Sequence, residues 1–340
     1  MAPTAEQGFH IAVVGATGLV GEALLEALTD REFPVKKLYA LGRDDGDSSV
    51  LFADRPVAVT ALDGFDFSRC QLVFFCAPAE VAKAHVPRAL AAGCHVVDAS
   101  AQFRLAADVP LMVGDLGGVV LAEADGPHLI ASPSAIALQI ATLLRPIERV
   151  AGLRAVDATV LASVSGQGRA GVDELAGQTA RLLNAQSVKP KVFPAQIAFN
   201  ALPAFDAVHE SGFTEEEFQI ASEVKKLFSN KELAVNISEI FIPVFYCHSQ
   251  VIRVETREPL SAAAALKLLA VAPGVDVIKS RKPFSPADGA SNSATIRVGR
   301  VRQGAESDRV LTLWTVADNV RKGAAVNSVQ LAETLLKPHL

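Results

Sequence analysis

The chain has 340 residues, half of them apolar, and a formal net charge of −5 without any block of like charges. That length calls for two domains, each with a sizeable core. The charge balance leaves no footprint for nucleic acid or an anionic membrane surface.

In chain order, His10–Val14 predicts an apolar strand, Leu19–Leu28 an amphipathic helix and Lys37–Leu41 a second strand. Leu72–Cys76 is a further strand, Ala79–Ala91 a helix, and His95–Asp98 and Leu129–Ala131 are short buried strands. Strands and helices alternating at this length predict a parallel sheet covered on both faces. After Arg154 the pattern becomes α+β with a mostly antiparallel or mixed sheet. Its strands are expected at Arg154–Val164, Ile240–Glu255, Thr295–Arg302 and Arg309–Val316, with helices at Gly171–Leu183, Thr214–Phe228 and Ser261–Leu269. A long surface excursion is expected at Lys189–Phe213, and Asp318–Lys337 reads as a C-terminal helix.

The start of the chain has no basic segment followed by an apolar one, so no secretion signal is expected. Val109–Ala122 is interrupted by Asp115 and glycines and does not make a membrane span. Cys70, Cys76, Cys94 and Cys247 lack metal-ligand spacing, so they read as reduced structural residues of a cytoplasmic protein with no metal.

Gly15-Ala-Thr-Gly18-Leu-Val-Gly21 follows the first strand and opens the first helix. Glycines there let the backbone approach a pyrophosphate, and the helix N-terminus supplies N–H donors. Gly15, Thr17, Gly18, Leu19 and Val20 are therefore the candidate cofactor residues of this turn. Arg43, at the end of the second strand, suits the 2′-phosphate of NADP, whereas Asp44 or Asp45 suits the ribose diol of NAD. NADP and NAD both stay open.

A second corner lies at Leu129–Gln139. A strand end is followed by Ser132-Pro133-Ser134 and then by helical spacing from Ala135 to Leu144, expected to stop before Pro146. A nucleophile at such a helix N-terminus would be activated by unpaired backbone N–H groups. Ala135 stands there instead, without chemistry.

Ala131–Gln139 resembles the Ala-Asn-Pro-Asn-Cys-Ser-Thr-Ile-Gln pattern of the aspartate-semialdehyde dehydrogenase family. Other motifs of the same family resemble Gly15–Gly21, Asp98–Leu105 with Asp108–Leu111, Val164–Gly168, Ile197–Pro203, Ile242–Ser249, Val298–Arg302 and Trp314–Ala325, in order through nearly the whole chain. The resemblance implies a Rossmann-type domain (1–134 and 318–340) and an inserted α+β catalytic and dimerisation domain (135–317). The latter is similar to the C-terminal domain of glyceraldehyde-3-phosphate dehydrogenase. It also implies a homodimer.

Carried over position by position, His248 matches the family's acid/base histidine, and Arg104 its phosphate-binding arginine. Glu223 and Lys226 match its substrate- and phosphate-holding Glu-x-x-Lys. The catalytic cysteine falls on Ala135, the carboxylate-gripping arginine on Phe241 and a site glutamine on Ala162. Losing a covalent nucleophile costs on the order of six decades in rate. A lost charge-assisted hydrogen bond costs about 1.5–3 kcal/mol.

The resemblance therefore implies a paralogue without its catalytic cysteine: an NAD(P)-binding homodimer with a small-molecule pocket and no acyl-enzyme chemistry. The alternative is an oxidoreductase that transfers hydride directly to another aldehyde or oxo substrate, with His248 as acid/base. Cys247 could replace the nucleophile only if it shared a face with His248, which strand alternation opposes.

Overall fold

The computed structural model describes residues 8–43, 48–117, 128–279, 284–305 and 307–336. Asp44, Asp45 and the end of the Val109–Ala122 stretch lie outside them. Two compact units are present, 1–134 with 324–340 and 135–323.

The first unit contains β1 (Phe9–Val14), α1 (Leu19–Asp30), β2 (Val35–Gly42), β3 (Ser49–Phe52), β4 (Arg55–Ala61), β5 (Leu72–Phe75), α2 (Ala79–Ala91), β6 (His95–Asp98) and β7 (Leu129–Ala131). The sheet order is β3-β4-β2-β1-β5-β6-β7, parallel except for the β3–β4 hairpin. Alternation along β1 splits its side chains between two cores. Ile11 and Val13 pack with Leu24 and Leu28, whereas Ala12 and Val14 pack with Phe75 and Val86. A sheet covered on both faces explains why these strands read as unbroken apolar runs.

The second unit contains α3 (Ala135–Ala151), β8 (Leu153–Ala162), α4 (Gly168–Leu183), β9 (Leu202–Pro203), α5 (Glu215–Leu227), β10 (Ala234–Phe241), β11 (His248–Thr256), α6 (Ala262–Leu269), β12 (Val275–Val277), β13 (Ile296–Gln303) and β14 (Val310–Ala317). Its mixed sheet runs β12-β13-β14-β11-β8-β10-β9. Helices α3, α5 and α6 pack on one face. The other face carries Val251, 37% exposed, and the cross-strand pairs Arg253–Asp157 (3.0 Å) and Arg154–Glu255 (2.9 Å). The chain then returns to the first unit with α7 (Asn327–Leu336).

Three sequence expectations are corrected. Helix α3 continues through Pro146, because Leu143, Leu144, Ile147 and Ala151 are all buried. Their packing outweighs the roughly 3 kcal/mol that an internal proline costs.

The single strand expected over Ile240–Glu255 is two strands, β10 and β11, on opposite sides of β8. Pro243 has no N–H for a ladder, and Cys247 adopts φ +78, which no strand tolerates.

The C-terminal helix begins at Asn327 after a π-helical turn over Arg321–Val326. The units divide at Gly323 rather than before Asp318. Asp318 Oδ2 accepts from Asn292 N (2.7 Å) and Asn319 Oδ1 from Cys247 N (3.0 Å), tying both residues to the second unit.

Candidate functional site

In the first unit the Gly15–Gly21 turn borders a cleft of about 970 Å³, lined by Gly15, Thr17, Gly18, Arg43, Asp63 and His85 among others. Two glycines are sterically required. Gly15 adopts φ +82, and a Cβ there would lie 2.5 Å from Cys76 O; at Gly21 a Cβ would lie 2.2 Å from Gly15 O. The backbone is thus drawn tightly over the start of α1, whose N-cap Gly18 makes no side-chain cap bond. That bare helix N-terminus suits a pyrophosphate, and the exposed Arg43 at the cleft suits further negative charge. Leu19 and Val20 begin α1 and do not line the cleft. Asp63 and His85 line it without having been anticipated, since the β3–β4 hairpin preceding Asp63 lacked a strong turn signal.

Arg104 also belongs to the first unit. Its Nε donates to Ser132 O (3.1 Å) and its Nη2 to Ala99 O (2.9 Å), so it clamps the segments following β6 and β7. Ser132 Oγ accepts from Asn327 Nδ2 (2.8 Å), which anchors the turn before Ala135 to α7.

Ala135, Glu223, Lys226 and His248 belong to the second unit. Ala135 is the first residue of α3, and Gly323 packs so closely that a Cβ there would sit 2.4 Å from Ala135 Cβ. Gln250, two residues after His248 and so on the same face of β11, donates to Gln139 Oε1 (2.8 Å). Gln139 in turn donates to Thr315 Oγ1 (2.8 Å). This buried polar chain holds the first turns of α3 over the face of the sheet that carries His248. On α5, which packs on α3 and β10, Glu223 is fully buried and accepts from Gln219 Nε2 (3.1 Å), while Lys226 is half-buried.

The end of β8 is where Phe241, Ala162 and His248 come together. Phe241 pairs with Ala162 across the β10–β8 ladder, and Ser249 pairs with Leu161 across β11–β8. The crossing segment from β10 to β11 is held by Val164 N to Val244 O (2.9 Å) and Ser165 N to Phe245 O (3.1 Å). This crossing brings His248 to the backbone of Ser163, whose N–H donates to His248 Nδ1 (3.1 Å). Ser163 Oγ lies 3.2 Å from the same nitrogen. Asn319 Oδ1 receives Cys247 N–H (3.0 Å) and the hydroxyls of Ser163 (3.1 Å) and Ser165 (3.0 Å). Burial pushes the His248 imidazole down to about 4.

Beside His248, Phe241 is 2% exposed and forms a cluster with Phe193 (5.6 Å) and Phe205 (5.2 Å). A Cβ built at Gly166 would lie 3.4 Å from His248 Cε1, 3.7 Å from Nε2 and 3.9 Å from the Phe241 ring. The Cε1–Nε2 edge of the imidazole and the Phe241 ring thus both border the position over Gly166. Ser163, Asn319, Phe193 and Phe205 were not singled out from the sequence, although Asn319 falls within the Trp314–Ala325 motif.

Cys247 does not share this environment. It is fully buried against Phe284, Ala290 and Val316, and burial lifts its thiol to about 12. The same cause raises Cys70 and Cys76 to about 12 and Cys94 to about 11.

Residues 10–124 match the family model described as semialdehyde dehydrogenase, NAD binding domain, and residues 144–322 match semialdehyde dehydrogenase, dimerisation domain. The chain is 37% identical to an aspartate-semialdehyde dehydrogenase of Shewanella violacea, covering 98% of this chain and 99% of the relative. It is 39% identical to a USG-1 protein homolog of Pseudomonas aeruginosa, with coverage of 98% and 99%. The crystal structure of aspartate semialdehyde dehydrogenase II from Vibrio cholerae, complexed with ASA, superposes with a TM-score of 0.94 at 37% identity, covering 98% of this chain and 99% of that one. The chain belongs to the semialdehyde dehydrogenase family, with an NAD(P)-binding domain and a dimerisation domain. Among the described residues no helix is long and apolar enough to cross a membrane.

Proposed function

We propose that this protein is a homodimeric, NAD(P)-binding member of the family that has lost acyl-enzyme chemistry and keeps a rebuilt small-molecule site. The observation that carries this reading is Ala135 at the first position of α3, where the family's nucleophile falls. No neighbour replaces it: Cys247 is buried in a separate apolar cluster with its thiol far above neutral pH. Phe241, packed among two other phenylalanines, cannot grip a carboxylate.

Gly15, Thr17, Gly18 and Arg43 would hold the dinucleotide, with the N-terminus of α1 facing its pyrophosphate. A bound nicotinamide supplies or accepts hydride. The chain's own contribution in the second unit is to orient a ligand beside His248, with Glu223 and Lys226 as candidate anchoring groups, while Arg104 is the candidate anion-binding group of the first unit. The exposed sheet face around Val251 and Arg253 is the candidate self-association surface.

Direct hydride transfer to an oxo substrate is the second reading, favoured by an imidazole beside Gly166 that can serve as acid/base without a cysteine partner. Fluorescence titration with NADPH and NADH, followed by a turnover screen of carbonyl compounds, separates the two. Absence of nucleotide binding at micromolar concentrations overturns both. Phosphate-dependent NADPH formation from aspartate semialdehyde that is abolished by His248→Ala overturns the loss of acyl-enzyme chemistry. Sedimentation of a monomer at micromolar protein overturns the dimer.

A further inference from the structure

We propose that Ser163 is a positioning residue that fixes His248 as a neutral Nε2–H donor, so that the site beside Phe241 receives an uncharged acceptor, such as a carbonyl oxygen, on an apolar body. An amide N–H can only donate, so Ser163 N–H at 3.1 Å requires a lone pair on His248 Nδ1. Cys247 N–H likewise identifies the Asn319 side-chain atom it meets as oxygen.

Counting lone pairs completes the circuit. Asn319 Oδ1 has two, of which Cys247 N–H takes one. Ser163 hydroxyl, 3.1 Å away, takes the second, and Ser165 hydroxyl, 3.0 Å from Ser163 Oγ, donates to that oxygen. Ser163 is thereby anchored to Asn319, and its N–H occupies the single lone pair of Nδ1. Protonation at Nδ1 would set its hydrogen against that N–H in a buried site, so the ring proton resides on Nε2.

Nε2 lies at the small space over Gly166, bounded by the Phe241 ring. A fixed neutral donor next to an aromatic wall favours a carbonyl oxygen over a carboxylate, which it cannot neutralise, and over an ammonium, which it repels. The ligand class rests on the proposed retention of a small-molecule site. The tautomer does not, and is measured on the protein alone.

The test is 15N NMR of histidine-labelled protein between about pH 5 and about pH 8. The expected spectrum has an unprotonated Nδ1 and a protonated Nε2 for His248 throughout. Ser163→Ala should move the Nδ1 resonance and raise the apparent pKa of His248, with the rest of the spectrum preserved. A His248 that carries its proton on Nδ1, titrates near its ordinary value in the wild type, or ignores Ser163→Ala overturns the positioning role. Millimolar benzamide should shift Nε2–H in the wild type and not in Gly166→Ala, whose methyl covers that edge. No shift with benzamide, or an equal shift with aspartate, overturns the ligand class while leaving the tautomer result standing.

Discussion

Phe241 sits directly across the β10–β8 ladder from Ala162, so two of the positions that depart from the family pattern are partners in one sheet. Their side chains share the buried face that α3 and α5 cover. A change at one alters the space available to the other, and Phe241 is further packed against Phe193 and Phe205.

Restoring the nucleophile alone is expected not to restore the family reaction. Ala135→Cys places a thiol at the N-terminus of a long helix, where it should alkylate with iodoacetamide well ahead of the native thiols, all raised to about 11 or 12 by burial. Phosphate-dependent NADPH formation from aspartate semialdehyde should stay at background, because Phe241 offers nothing to the substrate carboxylate. Turnover by the single variant would show that the aromatic wall is no barrier.

Phe241→Ala should destabilise the second unit by about 3–5 kcal/mol, as expected for a buried phenylalanine whose two ring neighbours cannot follow it inward. Urea unfolding read by far-UV circular dichroism measures this. A loss under about 1 kcal/mol would mean that the cluster is loosely packed.

Glu239, on the same face of β10 two residues earlier, is 4% exposed, and its Oε2 has no hydrogen-bond partner. Burial first, then the neighbouring Glu216, Glu217 and Asp206, push its carboxyl up to about 9. The folded state therefore holds a proton that the unfolded chain releases near 4.5. Stability from this group is fully present below about 4.5 and is lost as pH rises toward about 9. Glu239→Gln should remove that slope and gain stability at pH 8, on the order of a few kcal/mol. Parallel pH profiles of Tm for the wild type and the variant would contradict it.

Arg43→Ala should weaken NADPH binding by roughly tenfold to a hundredfold, the cost of one charge-assisted hydrogen bond, while changing NADH binding little. Equal effects on both nucleotides in a fluorescence titration would remove Arg43 from the 2′-phosphate. The ribose contact would then fall to other residues of the cleft, among which Asp63 lies 3.8 Å from His85.

What the linear chain determined by itself was whatever short-range physics dictates. Apolar runs in β1, β5 and β6 made a parallel sheet legible, and glycine spacing marked the tight turn that opens α1. The strand break between β10 and β11 was not legible, because Ile240–Glu255 is apolar enough to read straight through. Only the placement of β10 and β11 on opposite sides of β8 forces a crossing, and that crossing delivers His248 to Ser163. The continuation of α3 through Pro146 was hidden for a similar reason, since packing on every side of the helix outweighs a local penalty. Ser163 and Asn319 lie 156 positions apart in the chain, and no periodicity links them. Their hydrogen bond, and with it the state of His248, exists because tertiary structure closes the distance and excludes the water that would otherwise satisfy each group.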